Sequence, residues 1–562
     1  MRLFFFLFFL APFFINAQNV YPQDYFQNPL DVTLVLSGTF AELRANHFHS
    51  GLDIKTQQRV GLNVYACADG YVSRIKVSHF GYGKALYITH PNGYTTVYAH
   101  LQKFTPEIEA YVKKQQYQKE TYEIELFPNI QDLLVEKGEV VAYSGSSGGS
   151  SGPHLHFEIR DKAERPMNPM LFGIDIKDTR RPNISSVYVY PANDSSYVNN
   201  STQRQKLRLI PLSTGDYSIE NIEAYGKIGF GIITKDRQDL AADRNGVANI
   251  QSFYNGSQIF EIDFSVFSFS ETKHLNRLID YGEYKTNKQR IQKLFVEPNN
   301  PLSMYKNIEY NGYITVEDST NTVYKVRVKD YKNNDAWLTV TIKGVKAQDV
   351  KPHEKYTTPY YIYHDQATTL KEENVTVELF KDTFYDDFYV DFNVQNDTLT
   401  LGEDVIPVRK SFAINYDISN YADEDKSKLY IAELVGYYKY PSYSRTTRKG
   451  NKLTTLTKYL GTYALTLDTI APTIRPINFQ NKKWLSKYRF LKVKIDDKLS
   501  GISNYRATVN GNWILMEYDY KTKTLTHDFN DDVITDTENN LKIIVTDNVG
   551  NNSTFEAVFY RK

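Results

Sequence analysis

The sequence predicts an all-β fold, in which a small antiparallel β domain is followed by β-sandwich domains. Tyrosine and phenylalanine are abundant, with 45 and 32 copies in 562 residues, and aromatic side chains favour strands. Long stretches of helical periodicity are scarce. Strand and turn signals also recur along the carboxy-terminal two thirds of the chain, a pattern that is typical of sandwich domains.

The first 17 residues have the pattern of a secretory signal peptide. Arg2 supplies a positive charge, residues 3–15 are apolar, and the small Ala17 is the expected cleavage position. The apolar run is short for a lasting membrane anchor, although an uncleaved anchor is the alternative. We therefore expect an exported protein, in the periplasm, the cell envelope or the extracellular space, with no transmembrane segment in the mature chain.

Composition gives no sign of a nucleic acid partner. The 66 lysines and arginines are balanced by 66 aspartates and glutamates, whereas nucleic-acid-binding surfaces are strongly basic. The single cysteine, Cys67, cannot form an internal disulfide. Its strand-like surroundings predict a buried and unreactive thiol.

Residues 18–175 are predicted to form the first folded domain. Residues 60–72 and 85–99 have the character of short strands joined by turns, and the Asn92-Gly93 pair within the second stretch is a strong hairpin signal. Residues 105–127 differ, because they are charged and rich in Lys, Gln and Glu. This stretch is predicted to be an inserted helix or, alternatively, a solvated surface excursion.

Three weakly repeated sequence patterns divide the remainder of the chain. The pattern D-T-x-x-P at residues 178–182 returns at 468–472, V-x-D-x-x-x-N at 328–334 returns at 545–551, and residues 236–246 resemble residues 496–501. We predict β-sandwich domains over residues 176–345, 372–467 and 468–562, with a linker over residues 346–371. One larger sheet assembly is the alternative.

A small-residue loop and an alternating strand meet within residues 144–160. Successive side chains of a strand point to opposite faces, so His154 and His156 share one face while Leu155 and Phe157 share the other and enter the core. Two imidazoles on a rigid strand beside a glycine-rich loop suit a metal-dependent hydrolase site. Two histidines on a solvated strand face are the alternative.

His49 and Asp53, in the pattern H-x-G-x-D, supply further candidate metal ligands. Imidazole nitrogen and carboxylate oxygen are both ordinary zinc ligands. With His156 they give three protein ligands and leave a fourth position for water, which is the pattern of catalytic zinc sites. His47 forms a competing H-x-H pair with His49, but only His49 has the H-x-G-x-D context.

His100 and His154 are the candidate catalytic residues. A histidine that lies beside the water of a metal site can accept a proton from that water or stabilise the developing oxyanion. His100 ends the run T-V-Y-A-H, and His154 lies two residues before His156. Either histidine fits either role.

Together these motifs resemble the lysostaphin/LytM-type zinc endopeptidases of peptidoglycan. The matching stretches are H-x-G-x-D from His49, Y-A-H-L over residues 98–101 and G-P-H-L-H-F-E over residues 152–158. The resemblance implies a compact antiparallel β domain with a narrow groove over one zinc ion. It also implies that the metal ligands are His49, Asp53 and His156, with His100 and His154 beside the zinc-bound water. The strand-rich carboxy-terminal segments resemble Ig-like domains.

The function implied by this resemblance is zinc-dependent hydrolysis of peptide cross-links, with peptidoglycan peptide stems as substrate. We favour D-Ala–diaminopimelate links over glycine bridges, although the motifs do not separate the two. Two other classes of function stay open. In the first alternative, the protein is a non-enzymatic regulator of another wall hydrolase. In the second, it is a wall-binding protein whose carboxy-terminal segments do the binding. Those segments are also the expected surfaces for protein partners.

Overall fold

The computed structural model describes residues 21–347, 350 and 356–562. The predicted signal peptide therefore lies outside the described residues. The protein is 45% strand and 8% helical, and most of its strands pair in antiparallel fashion, which confirms the predicted all-β class. Among the described residues, no helix has both the length and the apolar character needed to cross a membrane.

The amino-terminal domain is built on a nine-stranded sheet and a three-stranded sheet. Asn92-Gly93 joins two of its strands in the predicted hairpin, and Gly93 has a φ of +88°, which glycine adopts without steric cost. Cys67 is buried as predicted, and burial raises the pKa of its thiol to about 12. The strands are Leu36–Gly38, Leu52–Lys55, Asn63–Tyr65, Gly70–Val77, Lys84–Thr89, Thr95–Ala99, Lys103–Phe104, Ile124–Leu126, Leu134–Val135, Val140–Tyr143, His154–Arg160 and Pro166–Met167, with a 3₁₀ helix at Pro169–Phe172.

The stretch predicted as a helix or a surface excursion contains the helix Pro106–Lys119. Proline at its first position suits a helix start, because the missing N–H would have no intrahelical partner there. Ile108 and Val112 are buried against the domain. The helix also faces the last module, where Tyr117 donates a hydrogen bond to Asp531 Oδ2 at 2.8 Å.

The second module shares a continuous hydrophobic core with the amino-terminal domain. Phe267 packs against Phe40 and Phe48, with ring centroids 5.3 and 5.5 Å away, so the two units form one packed body. The strands are Asn183–Pro191, Tyr197–Val198, Gln205–Leu207, Leu209–Pro211, Tyr217–Ile219, Ile222–Lys235, Asn249–Tyr254, Ser257–Asp263, Gln292–Lys293, Tyr305–Lys306, Ile314–Val316, Asn321–Lys329 and Asp335–Gly344. The helical segments are Thr272–His274, Leu275–Leu278, Tyr281–Asn287 and Tyr310–Gly312.

The third module has its own core between two five-stranded sheets. Its first strand, Tyr360–Ile362, lies inside the segment predicted as a linker over residues 346–371, and its second, Thr368–Glu372, begins there. The linker prediction is therefore wrong for residues 360–371. These strands lack a clear apolar alternation in the sequence, because only Ile362 and Leu370 are buried there. The remaining elements are Val375–Leu379, Phe388–Val390, Phe392–Gln395, Thr398–Leu401, Phe412–Asp417, Leu429–Val435, Tyr440–Tyr443, Thr446–Lys449, Lys452–Thr457, Gly461–Leu467 and the helix Asp423–Lys426.

The last module packs a four-stranded sheet against a five-stranded sheet around a separate core. Although it ends the chain, it contacts the amino-terminal domain, where the buried Lys84 Nζ lies 2.8 Å from Glu517 Oε1. Its strands are Thr473–Pro476, Lys483–Trp484, Phe490–Asp496, Ile502–Val509, Asn512–Trp513, Glu517–Asp519, Thr524–Asp528, Glu538–Asp547 and Asn552–Tyr560, with a 3₁₀ helix at Phe529–Asp531.

Candidate metal centre and active site

Strand pairing brings two of the candidate metal ligands, Asp53 and His156, together. His154–Arg160 lies between the antiparallel strands Leu52–Lys55 and Thr95–Ala99, and its register sets His156 directly opposite Asp53. Directly opposite residues of an antiparallel pair carry their side chains on the same face. The other face of the strand is core, as the alternation predicts, with Leu155 and Phe157 fully buried.

His49, Asp53 and His156 converge on one point. His49 Nε2 lies 3.0 Å from Asp53 Oδ1 and 3.1 Å from His156 Nδ1, and the last two atoms are 2.9 Å apart. His49 and His156 are 7% and 3% exposed. These three side chains can hold a metal ion.

The hydrogen bonds behind the two imidazoles fit a metal ion in front of them. His49 Nδ1 donates to the carbonyl oxygen of Thr39 at 2.7 Å, and His156 Nε2 donates to Glu158 Oε1 at 2.8 Å. Because both acceptors require a proton on the outer nitrogen, the inner nitrogens direct their lone pairs at each other beside a carboxylate. Such lone pairs 3.1 Å apart repel unless a metal ion lies between them or one inner nitrogen carries a proton, and ligating histidines have this kind of outer support.

Glu158 is a functional residue that the sequence reasoning missed. It is fully buried, and besides His156 it accepts hydrogen bonds from Ser50 Oγ at 2.6 Å, from Arg160 Nε at 2.7 Å and from the Tyr82 hydroxyl. Burial favours the neutral acid, but Arg160 and His156 hold the pKa of Glu158 well below its usual range. The signal was present, because residues 154, 156 and 158 share one face of the strand.

His100 and His154 stand beside the three candidate ligands. Their rings are 4.8 Å apart, and the His100 ring is 5.9 Å from that of His156. His100 Nδ1 donates to the carbonyl oxygen of Ser147 at 2.9 Å, and His154 Nδ1 donates to that of Gly152 at 2.9 Å. Both Nε2 atoms are thereby left with a lone pair. The structure therefore brings together all five residues singled out in the sequence.

His47 lies outside this cluster. It is exposed, and its Nδ1 lies 2.9 Å from Asn46 Oδ1. The competing pair of His47 with His49 therefore does not converge, whereas His49 does meet Asp53 and His156.

The electrostatics of the cluster favour a neutral His100. Burial, followed by the charges of His156 and His154, lowers the pKa of His100 to about 3. Burial also lowers the pKa of His156, but hydrogen bonds to Asp53 and Glu158 outweigh it and raise that pKa to about 9. His100 is therefore an uncharged ring at neutral pH, with a lone pair on Nε2.

Two loops next to His100 and His154 pack directly on each other. Gly149 N donates to Gly81 O at 2.7 Å, and a Cβ on Gly148 would lie 2.3 Å from Gly83 N, so side chains are excluded there. The last module touches both loops. Lys521 Nζ donates to Ser146 O at 2.6 Å, and the tilted rings of Tyr520 and Phe80 have centroids 4.7 Å apart.

This constellation lies within residues that match a family model. Residues 47–117 and 131–169 match peptidase family M23, and they contain all five clustered side chains. The amino-terminal domain is a peptidase family M23 domain. The unmatched residues 118–130 fall at the end of the inserted helix and just beyond it. In the third module, residues 359–468 match the Zu5-like domain.

Curated relatives resemble the chain over the M23 domain. A DD-carboxypeptidase/endopeptidase Mpg from Neisseria meningitidis is 36% identical over 122 residues, covering 22% of each chain. The peptidoglycan DD-endopeptidase ShyB from Vibrio cholerae is 28% identical over 157 residues, covering 28% of this chain and 30% of the relative. The chain thus spans less than a third of the length of these relatives. A solved zinc-containing peptidase from Vibrio cholerae aligns at 28% identity over 26% of this chain and 40% of that chain, with a TM-score of 0.20.

Proposed function

We propose that this protein is an exported zinc-dependent endopeptidase that hydrolyses peptide cross-links of peptidoglycan. The observation that carries the proposal is the convergence of His49, Asp53 and His156 on one point, inside the M23 domain and beside two further histidines. Two imidazole nitrogens and one carboxylate oxygen form a donor set that suits zinc with an open coordination position.

His49, Asp53 and His156 would hold the ion, supported from behind by Thr39 and Glu158. When bound, zinc lowers the pKa of a water molecule toward about 7 and polarises a carbonyl group. The remaining chemistry is assigned to His100 and His154, because a backbone carbonyl group accepts the Nδ1 proton of each ring and Nε2 is left for the reaction. His154 Nε2 lies 3.4 Å from Asp53 Oδ1, next to the position proposed for the ion. One of them accepts the proton of the attacking water, and the other stabilises the oxyanion.

The substrate class rests on the resemblance and on the relatives. Relatives of the M23 domain are named DD-endopeptidases of peptidoglycan, which supports the D-Ala–diaminopimelate cross-link over a glycine bridge. Peptidoglycan peptide stems are then the substrate of this site. The pattern of the first 17 residues supports export to the periplasm or the cell envelope. The carboxy-terminal modules are the proposed surfaces for protein partners.

The test is digestion of purified peptidoglycan by the mature protein, with and without a chelator, followed by mass analysis of the fragments. We expect cleaved cross-links only when zinc is present. His156→Ala should lose both zinc and hydrolysis, His100→Ala should retain zinc but lose hydrolysis, and His47→Ala should match the wild type as a control. Full hydrolysis by His100→Ala would contradict its role. A protein that binds no zinc and cuts nothing would favour the regulator of another hydrolase.

A further inference from the structure

Three carboxylates of the second module meet although they lie far apart in the chain. Asp178 precedes the first strand of that module, Asp236 directly follows the strand Ile222–Lys235, and Asp330 directly follows the strand Asn321–Lys329. Each offers an oxygen within 4.8 Å of the others. Asp236 and Asp330 are each only 3% exposed. Asp178 is partly exposed. Carboxylates that meet in a largely buried place need a compensating positive charge or must bind protons.

The charge of Arg180 acts on Asp178 and Asp236 without forming an ion pair with either of them. Among the described residues, none of the three carboxylates forms an ion pair with a lysine or arginine at 4.0 Å or less. Asp330 accepts hydrogen bonds only from neutral groups of Lys332 and Asn334, including the Asn334 side-chain amide at 2.7 Å. Asp236 Oδ1 is buried and has no hydrogen-bond partner. Burial, followed by the charges of Asp178 and Asp330, raises the pKa of Asp236 to about 8.

The buried side chain of Asn245, which also lacks hydrogen-bond partners, lies on the same face as Asp236. Asn245 pairs with Asp236 across an antiparallel bridge, with both N–H···O distances at 2.9 Å. Residues directly opposite each other in such a bridge carry their side chains on the same face. Asn245 is 3% exposed, yet neither its Oδ1 nor its Nδ2 has a hydrogen-bond partner. A buried amide left unpaired is costly, so a ligand that bonds to it would be stabilised on this face.

We propose that Asp178, Asp236 and Asp330 bind a divalent cation of the calcium class, with the Asn245 side-chain oxygen as a further ligand. The candidate donors are all oxygens, which hard cations prefer, whereas zinc prefers nitrogen and sulfur. Calcium also tolerates irregular geometry and accepts six to eight oxygens, so water completes its shell. This site is separate from the one built by His49, Asp53 and His156.

The cation would support the M23 domain from outside its active site. The loop that carries Asp236 continues to Gly246, whose N–H donates to Thr39 Oγ1 at 3.0 Å. Tyr331, next to Asp330, donates to the carbonyl oxygen of Phe40 at 3.3 Å. The carbonyl group of Thr39 is the one that orients His49. Occupancy of the site would therefore order two loops that hold the turn behind a zinc ligand.

The last module contains a matching trio of Asp468, Asp497 and Asp547. Its three aspartates come from the same three repeated sequence patterns. The Asn551 side chain donates to the carbonyl oxygen of Asp468, as the Asn334 side chain does to that of Asp178 in the second module. However, among the described residues none of these three carboxylates has a buried oxygen without a hydrogen-bond partner, whereas Asp236 Oδ1 in the second module is such an oxygen. The proposal is therefore confined to the trio of the second module.

The test compares calcium binding by the zinc-loaded full chain with that by two charge-matched variants. Asp236→Asn removes one ligand charge, and the control Asp239→Asn removes a charge from the same loop outside the trio. In titration calorimetry, Asp236→Asn should bind one calcium equivalent fewer than the wild type, whereas Asp239→Asn should match the wild type. A wild-type chain that takes up no calcium, or an Asp236→Asn chain that takes up as much as the wild type, overturns the proposal.

Thermal unfolding separates loss of a ligand from loss of the fold. Calcium about a hundredfold above its Kd should raise the Tm of the wild type and of Asp239→Asn by about 5 °C, and leave that of Asp236→Asn unchanged. Without calcium, Asp236→Asn should unfold no earlier than the wild type, because the trio then has one carboxyl group fewer that must be protonated or left charged in a buried place. Hydrogen exchange over residues 236–246 should slow with calcium in the wild type only. An equal calcium shift in Asp236→Asn, or stabilisation by magnesium but not by calcium, would refute the assignment.

Discussion

The role of Glu158 can be tested by a single isosteric change, Glu158→Gln. The carboxylate accepts four hydrogen bonds, from His156, Ser50, Tyr82 and Arg160. A glutamine keeps one acceptor oxygen, but its NH₂ group must then face either the Arg160 donor or the His156 donor. If the NH₂ group faces His156, the hydrogen bond that orients the His156 ring is lost, and Nδ1 is no longer held toward the metal.

The expected loss of metal affinity follows from the position of Glu158 behind a ligand. Groups that orient a ligating histidine typically contribute 10–100-fold in metal affinity, which corresponds to about 1.4–2.8 kcal/mol. The fold also loses a buried partner of Arg160, which is 5% exposed. Breaking such a pair costs about 3 kcal/mol of unfolding free energy.

The assay is competition for zinc between the protein and a chromophoric chelator, alongside chemical denaturation. Glu164→Gln is the matched control, because Glu164 Oε2 also pairs with Arg160, at 3.2 Å, yet its side chain is 59% exposed and does not touch His156. We expect weaker zinc binding in Glu158→Gln and unchanged binding in Glu164→Gln. Wild-type zinc affinity in a destabilised Glu158→Gln would show that Glu158 supports only the fold, and the reasoning would be refuted.

Three further predictions concern stability. Glu517→Gln removes the charged partner of the buried Lys84. Because Glu517 is 43% exposed, the expected loss is about 2 kcal/mol of unfolding free energy, measured by denaturant unfolding. Replacing both residues with apolar ones should restore the stability. Burial, with Lys273 and Arg409, lowers the pKa of His274 to about 4. Below pH 6.5 this histidine therefore binds a proton in the unfolded chain but stays neutral in the folded protein. The free energy of unfolding should fall by up to about 3 kcal/mol between pH 6.5 and 4, and it should fall less in His274→Gln. Removing zinc with a chelator should lower the Tm, by an amount equivalent to about 4 kcal/mol at a thousandfold excess over Kd, and should leave His156→Ala unaffected.

The sequence by itself determined the features that depend on local periodicity. The alternation around His154 and His156 fixed which side chains leave the core, and Asn92-Gly93 fixed a hairpin, because both depend on a two-residue repeat or on one backbone conformation. The motif spacing also selected the five residues that the structure brings together. The same alternation contained Glu158, which passed unnoticed because a carboxylate on a strand face has no distinctive sequence context.

The tertiary structure alone decided what stands behind and around those residues. The register that sets Asp53 opposite His156, and the carbonyl groups of Thr39 and Ser147 that orient His49 and His100, arise from packing between distant segments, and a carbonyl group leaves no trace in the residue type. For the same reason the sequence did not show the core shared by the first two units, the strands within residues 360–371, or the docking of the last module. A short-range pattern assigns a side chain to a face, whereas only the closed fold decides what that face meets.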